Sequence, residues 1–125
     1  MPFGPDRIET TYACRSILDA GVILTFGSDW PVAPLSPLAG VYAAVTRRTT
    51  DGANPEGWLP EQKIGVGEAL TAYTAANAYA NFEEDVGGTL EIGKRADFFV
   101  LNEDPRSVDP SDIPEITVLL TVVGG

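Results

Sequence analysis

The sequence contains no histidine. That excludes a Ser-His-Asp or Cys-His catalytic set within the chain, an imidazole metal ligand and a histidine pH switch. Cysteine is nearly absent as well. Cys14 alone can form neither an internal disulfide nor a zinc cluster, so it leaves the redox compartment open. Positive charge is scarce, with 8 Lys+Arg against 18 Asp+Glu and a formal net charge of −10. Such a surface repels phosphate backbones and anionic lipid, so neither nucleic acid nor a membrane is expected as a partner. No apolar run approaches the roughly 18 residues of a membrane span. The opening Met-Pro-Phe-Gly-Pro has neither the basic nor the apolar region of a secretory signal. A cytoplasmic location is the expectation.

What is present suits a folded chain. Its 125 residues are one domain's worth, 44% of them hydrophobic and 21% charged; a chain of this size buries roughly two-thirds of its unfolded surface. Asp6 and Glu9 have capping-box spacing behind Pro5, and Ile8, Tyr12, Cys14, Ile17 and Leu18 recur at helical intervals, which predicts a helix over residues 6–20 ended by Gly21. Residues 22–26, Val-Ile-Leu-Thr-Phe, form a short β-rich run without polar alternation, as in a strand buried in a parallel sheet. Ser36-Pro37 reads as the start of a second helix reaching residue 48, with Leu38, Val41, Tyr42 and Val45 facing inward.

Residues 49–65 are a polar Pro/Gly-rich loop, and a third helix is predicted over 66–82, with Leu70, Tyr73 and Asn77 along one stripe. Near residue 85 the pattern changes to β: strands are predicted over 89–93, 96–101 and 116–123. Helix, buried strand, loop and helix in that order make the class α/β.

Asp29 follows the 22–26 run, where α/β folds place active-site residues. The residues themselves leave two readings open, a site carboxylate or a turn cap before Pro31. Trp58 either walls a pocket or pins the long loop. Lys94 and Arg95 read as solvated charges, and Asp97 as a partner for turn backbone groups.

Three stretches appear in order: Leu24-Thr25-Phe26-Gly27-Ser28-Asp29-Trp30-Pro31-Val32, then Glu68-Ala69-Leu70-Thr71-Ala72-Tyr73-Thr74, then residues 88–101 from Gly-Thr-Leu-Glu-Ile-Gly-Lys-Arg-Ala-Asp onward. Together they cover most of the chain, and their succession resembles the C-terminal part of the metal-dependent amidohydrolase superfamily, in its amidohydrolase-3, YtcJ-like branch. The resemblance implies the end of a (β/α)8 barrel over residues 1–85, with its last strand and flanking helices, followed by strands of a composite β-sandwich over 86–125. It implies that Asp29 binds a divalent metal, zinc foremost, and accepts a proton from the attacking water. The substrate implied is a small amide-type molecule cleaved at a non-peptide carbon–nitrogen bond, with Trp30 and Trp58 as candidate substrate contacts.

The departure from the family is the missing histidine set, which Lys63 and Lys94 cannot replace. A whole barrel also takes about 250 residues. This chain is therefore expected to hold metal weakly and to be inactive alone. The alternatives are a self-associating interaction module, forming a homo-oligomer through exposed barrel surfaces, or one chain of a split hydrolase.

Overall fold

The computed structural model describes residues 4–125, the side chains of Pro5 and Asp6 excepted. The reading of the first residues as lacking a signal, and the cap expected of Asp6, lie outside the described residues. Helical content comes first in the chain and strands come last: α1 (Pro5–Ile8), α2 (Cys14–Asp19), α3 (Pro37–Thr46), a 3-10 turn (Pro60–Gln62), α4 (Val66–Tyr73), α5 (Ala75–Ala80), β1 (Phe98–Leu101), a second 3-10 segment (Pro110–Glu115) and β2 (Val118–Val122). The mixed helix and strand content expected of the sequence is present.

Several boundaries differ from expectation, each for a local reason. The single helix over 6–20 is broken into α1 and α2. Thr10 and Thr11 both donate their hydroxyls to the Arg7 carbonyl, at 3.1 and 2.8 Å. Tyr12 then turns left-handed at φ 51°, and side-chain bonds of this kind compete with the helical ladder. The helix over 66–82 divides at Thr74, whose φ of −122° and ψ of −91° leave helical space. Thr71 and Thr74 bond back to the carbonyls of Gly67 and Leu70 at 2.9 and 2.8 Å, a pattern that bends helices. α3 starts behind Ser36 as expected, although the Ser36 side chain makes no cap bond, and it ends at Thr46 because Arg47 is left-handed at φ 60°.

The strand expected over 22–26 has no ladder among the described residues. The run passes through residue 28 without helix, turn or bend. It is held at Phe26, whose N–H donates to the Ala72 carbonyl at 3.0 Å and whose carbonyl accepts from Asn77 Nδ2 at 2.9 Å. The stretch 89–93 is likewise no strand. Lys94 Nζ reaches the Thr89 hydroxyl and Glu91, each at 2.8 Å, tying the segment into a turn, and Leu90 and Ile92 stay exposed.

β1 and β2 pair antiparallel, Phe98 facing Val122 and Val100 facing Leu120, with an irregularity between Val100 and Leu101. Asp97 Oδ1 closes the open end by accepting the Gly124 N–H at 2.6 Å. The core lies between α3, α4 and the second 3-10 segment, where Val41, Ala69 and Ile113 are fully enclosed and Leu38, Ile64 and Ile116 nearly so. Burying each large aliphatic side chain contributes about 1.5–3 kcal/mol.

Candidate functional site

The run 22–28 delivers the chain into a tight turn. Asp29 sits at φ 49°, a left-handed conformation that aspartate tolerates better than most residues. Its carbonyl accepts the Val32 N–H at 2.8 Å, and the Ser28 carbonyl accepts the Ala33 N–H at 3.1 Å. The Trp30–Pro31 peptide is cis. Both readings of Asp29 find support here: its backbone closes a turn, while its carboxylate is exposed and takes no hydrogen bond or ion pair from the described residues.

Two clefts of about 470 Å³ meet at Gly27 and Ser28. The first is apolar, walled by Phe26, Leu38 and Val41, by Leu70 and Tyr73, and by Phe99, Leu101 and Val118 of the hairpin; Ser28, Ser36, Thr74, Asn77 and Thr121 supply polar groups. The second runs on the other side past Tyr12, Ala33, Gly40 and Arg47. Asp29 is adjacent to both through Ser28 and lines neither.

Trp30 stands beside Asp29 on the same turn and is 63% exposed. Trp58 is not brought to that turn by any described contact. Its N–H donates to the Arg47 carbonyl at 2.8 Å and its carbonyl accepts from Arg47 Nε at 3.0 Å. The Arg47 guanidinium lies 5.5 Å from its ring centroid, and Tyr12 meets it edge-on at 6.2 Å. Trp58 thus pins the long loop to the end of α3, and touches the second cleft through Tyr12 and Arg47, which line it.

Sequence reasoning missed Tyr73, which lines both clefts. Its ring packs on Phe26 at 5.4 Å, and burial raises its phenol above the ordinary value. A signal was available in Gly40. Glycine inside a helix is costly, and here a Cβ would fall on the Tyr73 hydroxyl. Also missed was Arg15, which bridges Asp19 and Glu68 at 2.8 Å each.

Among the described residues no three His, Cys, Asp or Glu side chains form a group that could hold a metal ion. Metal sites ordinarily take three or four protein ligands. One exposed carboxylate does not fit such a site on its own.

The fold is that of a metal-dependent hydrolase. A crystal structure of a protein so described from Pyrococcus furiosus superposes with a TM-score of 0.67 at 32% identity, over 83% of this chain and 20% of that one. The chain is 32% identical over 98% of its length to YtcJ of Bacillus subtilis, whose name assigns it to the amidohydrolases, and 38% identical over 91% to an N-substituted formamide deformylase of Arthrobacter pascens. The amidohydrolase family profile, Amidohydro_3, matches residues 1–125, and the chain belongs to that family. It spans 23% and 20% of the length of those two relatives. The family to which it belongs implies a divalent metal. No described helix is long and apolar enough to cross a membrane.

Proposed function

We propose that the chain is the C-terminal portion of a (β/α)8 metal-dependent hydrolase that cleaves non-peptide carbon–nitrogen bonds of amide type. Residues 1–85 belong in this reading to the end of the barrel and 86–125 to the composite β-sandwich. The observation that carries it is the Asp29 turn, where a carboxylate without a partner among the described residues follows directly on an apolar extended run. Asp29 is the group this chain contributes to the chemistry, and an Oδ atom is where it accepts a proton from attacking water. Trp30 and Trp58 contact substrate, Trp30 directly from the same turn and Trp58 by way of the cleft wall it supports. The divalent metal, zinc in this proposal, takes its remaining ligands from histidine-bearing strands that this chain lacks. The chain alone is inactive.

The test combines metal analysis with complementation. After dialysis against zinc, the purified chain is expected to retain far less than one equivalent and to leave an N-substituted formamide unhydrolysed. Joined to the preceding portion of the Arthrobacter pascens enzyme, it should regain turnover, and Asp29→Asn should then lower kcat about 10²–10⁴-fold. Metal-dependent hydrolysis by the chain alone that survives Asp29→Ala at full strength would overturn the assignment.

A further inference from the structure

The run that leads into Asp29 is held to the rest of the chain at one residue. Among the described residues, the only backbone groups of 23–27 with a partner are those of Phe26. Its N–H donates to the Ala72 carbonyl at 3.0 Å, and its carbonyl accepts from Asn77 Nδ2 at 2.9 Å. A barrel strand supplied from elsewhere can pair with the other residues of the run, whereas the Phe26 N–H is already spent. The last backbone anchor before the turn is therefore set by α4 and α5, whatever surrounds it.

The break at Thr74 is what makes the anchor available. In an unbroken helix the carbonyls of Ala72 and Tyr73 accept the N–H groups four residues on. Thr74, at φ −122° and ψ −91°, interrupts that ladder, and among the described residues no backbone N–H of α5 donates to either carbonyl. The Ala72 carbonyl takes the Phe26 N–H instead, and the Tyr73 carbonyl takes Asn77 Nδ2 at 3.3 Å. An asparagine amide carries two hydrogens, one for Tyr73 on its own helical stretch and one for Phe26 on the run. Asn77 thus ties the broken helix to the segment that precedes Asp29.

We propose that Asn77 is a positioning residue for Asp29, an inference that rests on the reading of Asp29 as the proton-accepting carboxylate. From Phe26 to Asp29 the chain spans at most about 10 Å. Over that lever a tilt of about 6° at Phe26 moves Asp29 by about 1 Å. A misplacement of that size can cost about 10²-fold in rate. The bonds beyond Phe26 do not restrain the lever. Ser28 and Asp29 give their carbonyls to Ala33 and Val32, inside the turn that moves with them. Asn77 acts through the Phe26 backbone and does not itself handle the proton.

Asn77→Ala removes the donor, and Asn77→Asp removes it while keeping the volume. Asn77→Ser takes the place of either one that fails to fold by circular dichroism. Glu68→Gln is the control: it weakens contacts to Gly65 and Arg15 at the opposite end of α4 and leaves Phe26 untouched. In hydrogen exchange of the full chain, normalised to the amides of α3, Phe26, Val32 and Ala33 should speed up about five-fold or more in the Asn77 variants. In the control they should not. In the joined enzyme of the complementation test, the Asn77 variants should lower kcat about ten-fold or more with KM unchanged, and the control should keep its kcat. Exchange at Val32 and Ala33 unmoved by the Asn77 variants overturns the proposal. So does an equal fall of kcat in Glu68→Gln, or a loss carried by KM instead. A joined parent indifferent to Asp29→Asn overturns the role of Asp29, and exchange at Val32 and Ala33 then decides by itself whether Asn77 holds the turn.

Discussion

Arg15 shows how much one half-buried residue can organise. Its Nη1 donates to both Glu68 oxygens at 2.8 and 2.9 Å, and Nε donates to Asp19 Oδ1 at 2.8 Å. Glu68 also accepts the Gly65 N–H at 2.7 Å, half of a capping box, since glycine has no side chain to return the bond. The Gly65 N–H first and Arg15 second hold the Glu68 carboxyl below its usual range. A carboxyl with a depressed folded pKa adds stability above its unfolded pKa, and that stability is lost as pH falls through the folded value. Glu68→Gln should lower stability at neutral pH by about 1 kcal/mol, given its partial exposure. It should also flatten the loss of Tm between about pH 5 and 3. Asn77→Ala removes the side-chain donor to the Phe26 carbonyl and should cost about 1–2 kcal/mol in chemical denaturation. Asn77 was legible in the sequence as a stripe amide in need of partners. Its partner was not, because that carbonyl lies 51 residues away.

At the scale of elements, the sequence revealed helices better than strands. Ser36-Pro37 announced α3 because helix starts depend on neighbouring residues alone. The runs 22–26 and 89–93 have strand-like composition, yet a strand exists only where another backbone pairs with it. Composition could not supply that partner, or show that Lys94 would knot 89–93 into a turn. The breaks at Tyr12 and Thr74 were signalled by threonine hydroxyls close to helix carbonyls, which apolar periodicity does not register. Packing between elements is strictest where α3 meets α4. Gly40→Ala would set a methyl group on the Tyr73 hydroxyl and should destabilise by about 1–3 kcal/mol, seen as a fall in Tm. Gly88→Ala combines a φ of +81° with a contact of 2.5 Å to Ala78 Cβ. It should cost more than Gly40→Ala, because backbone strain adds to the clash.

For the whole molecule, area and charge govern behaviour. The chain exposes 8346 Å², about 1,900 Å² more than the roughly 6,450 Å² of a globular monomer of its mass, so it buries less on folding. Its urea m-value, measured on the monomer, should therefore be about 15% below that of a fully covered protein of equal length. The family was legible in the order of three motifs along the chain. Of the proposed site, the sequence offered Asp29 and its neighbours as candidates; Trp58 was visible as a loop tryptophan, whereas its place under Arg47 and against Tyr12 depends on how α3 ends.

The two tryptophans occupy opposite optical environments. Trp30 is out in water on the Asp29 turn, and Trp58 is shielded by a guanidinium and a tyrosine ring. Ultraviolet-excited emission from the unlabelled protein should therefore divide into a red-shifted component that acrylamide quenches readily and a bluer one that resists. The quenchable fraction reports on the turn beside Asp29 alone, so the protein carries its own gauge for anything that comes to rest there.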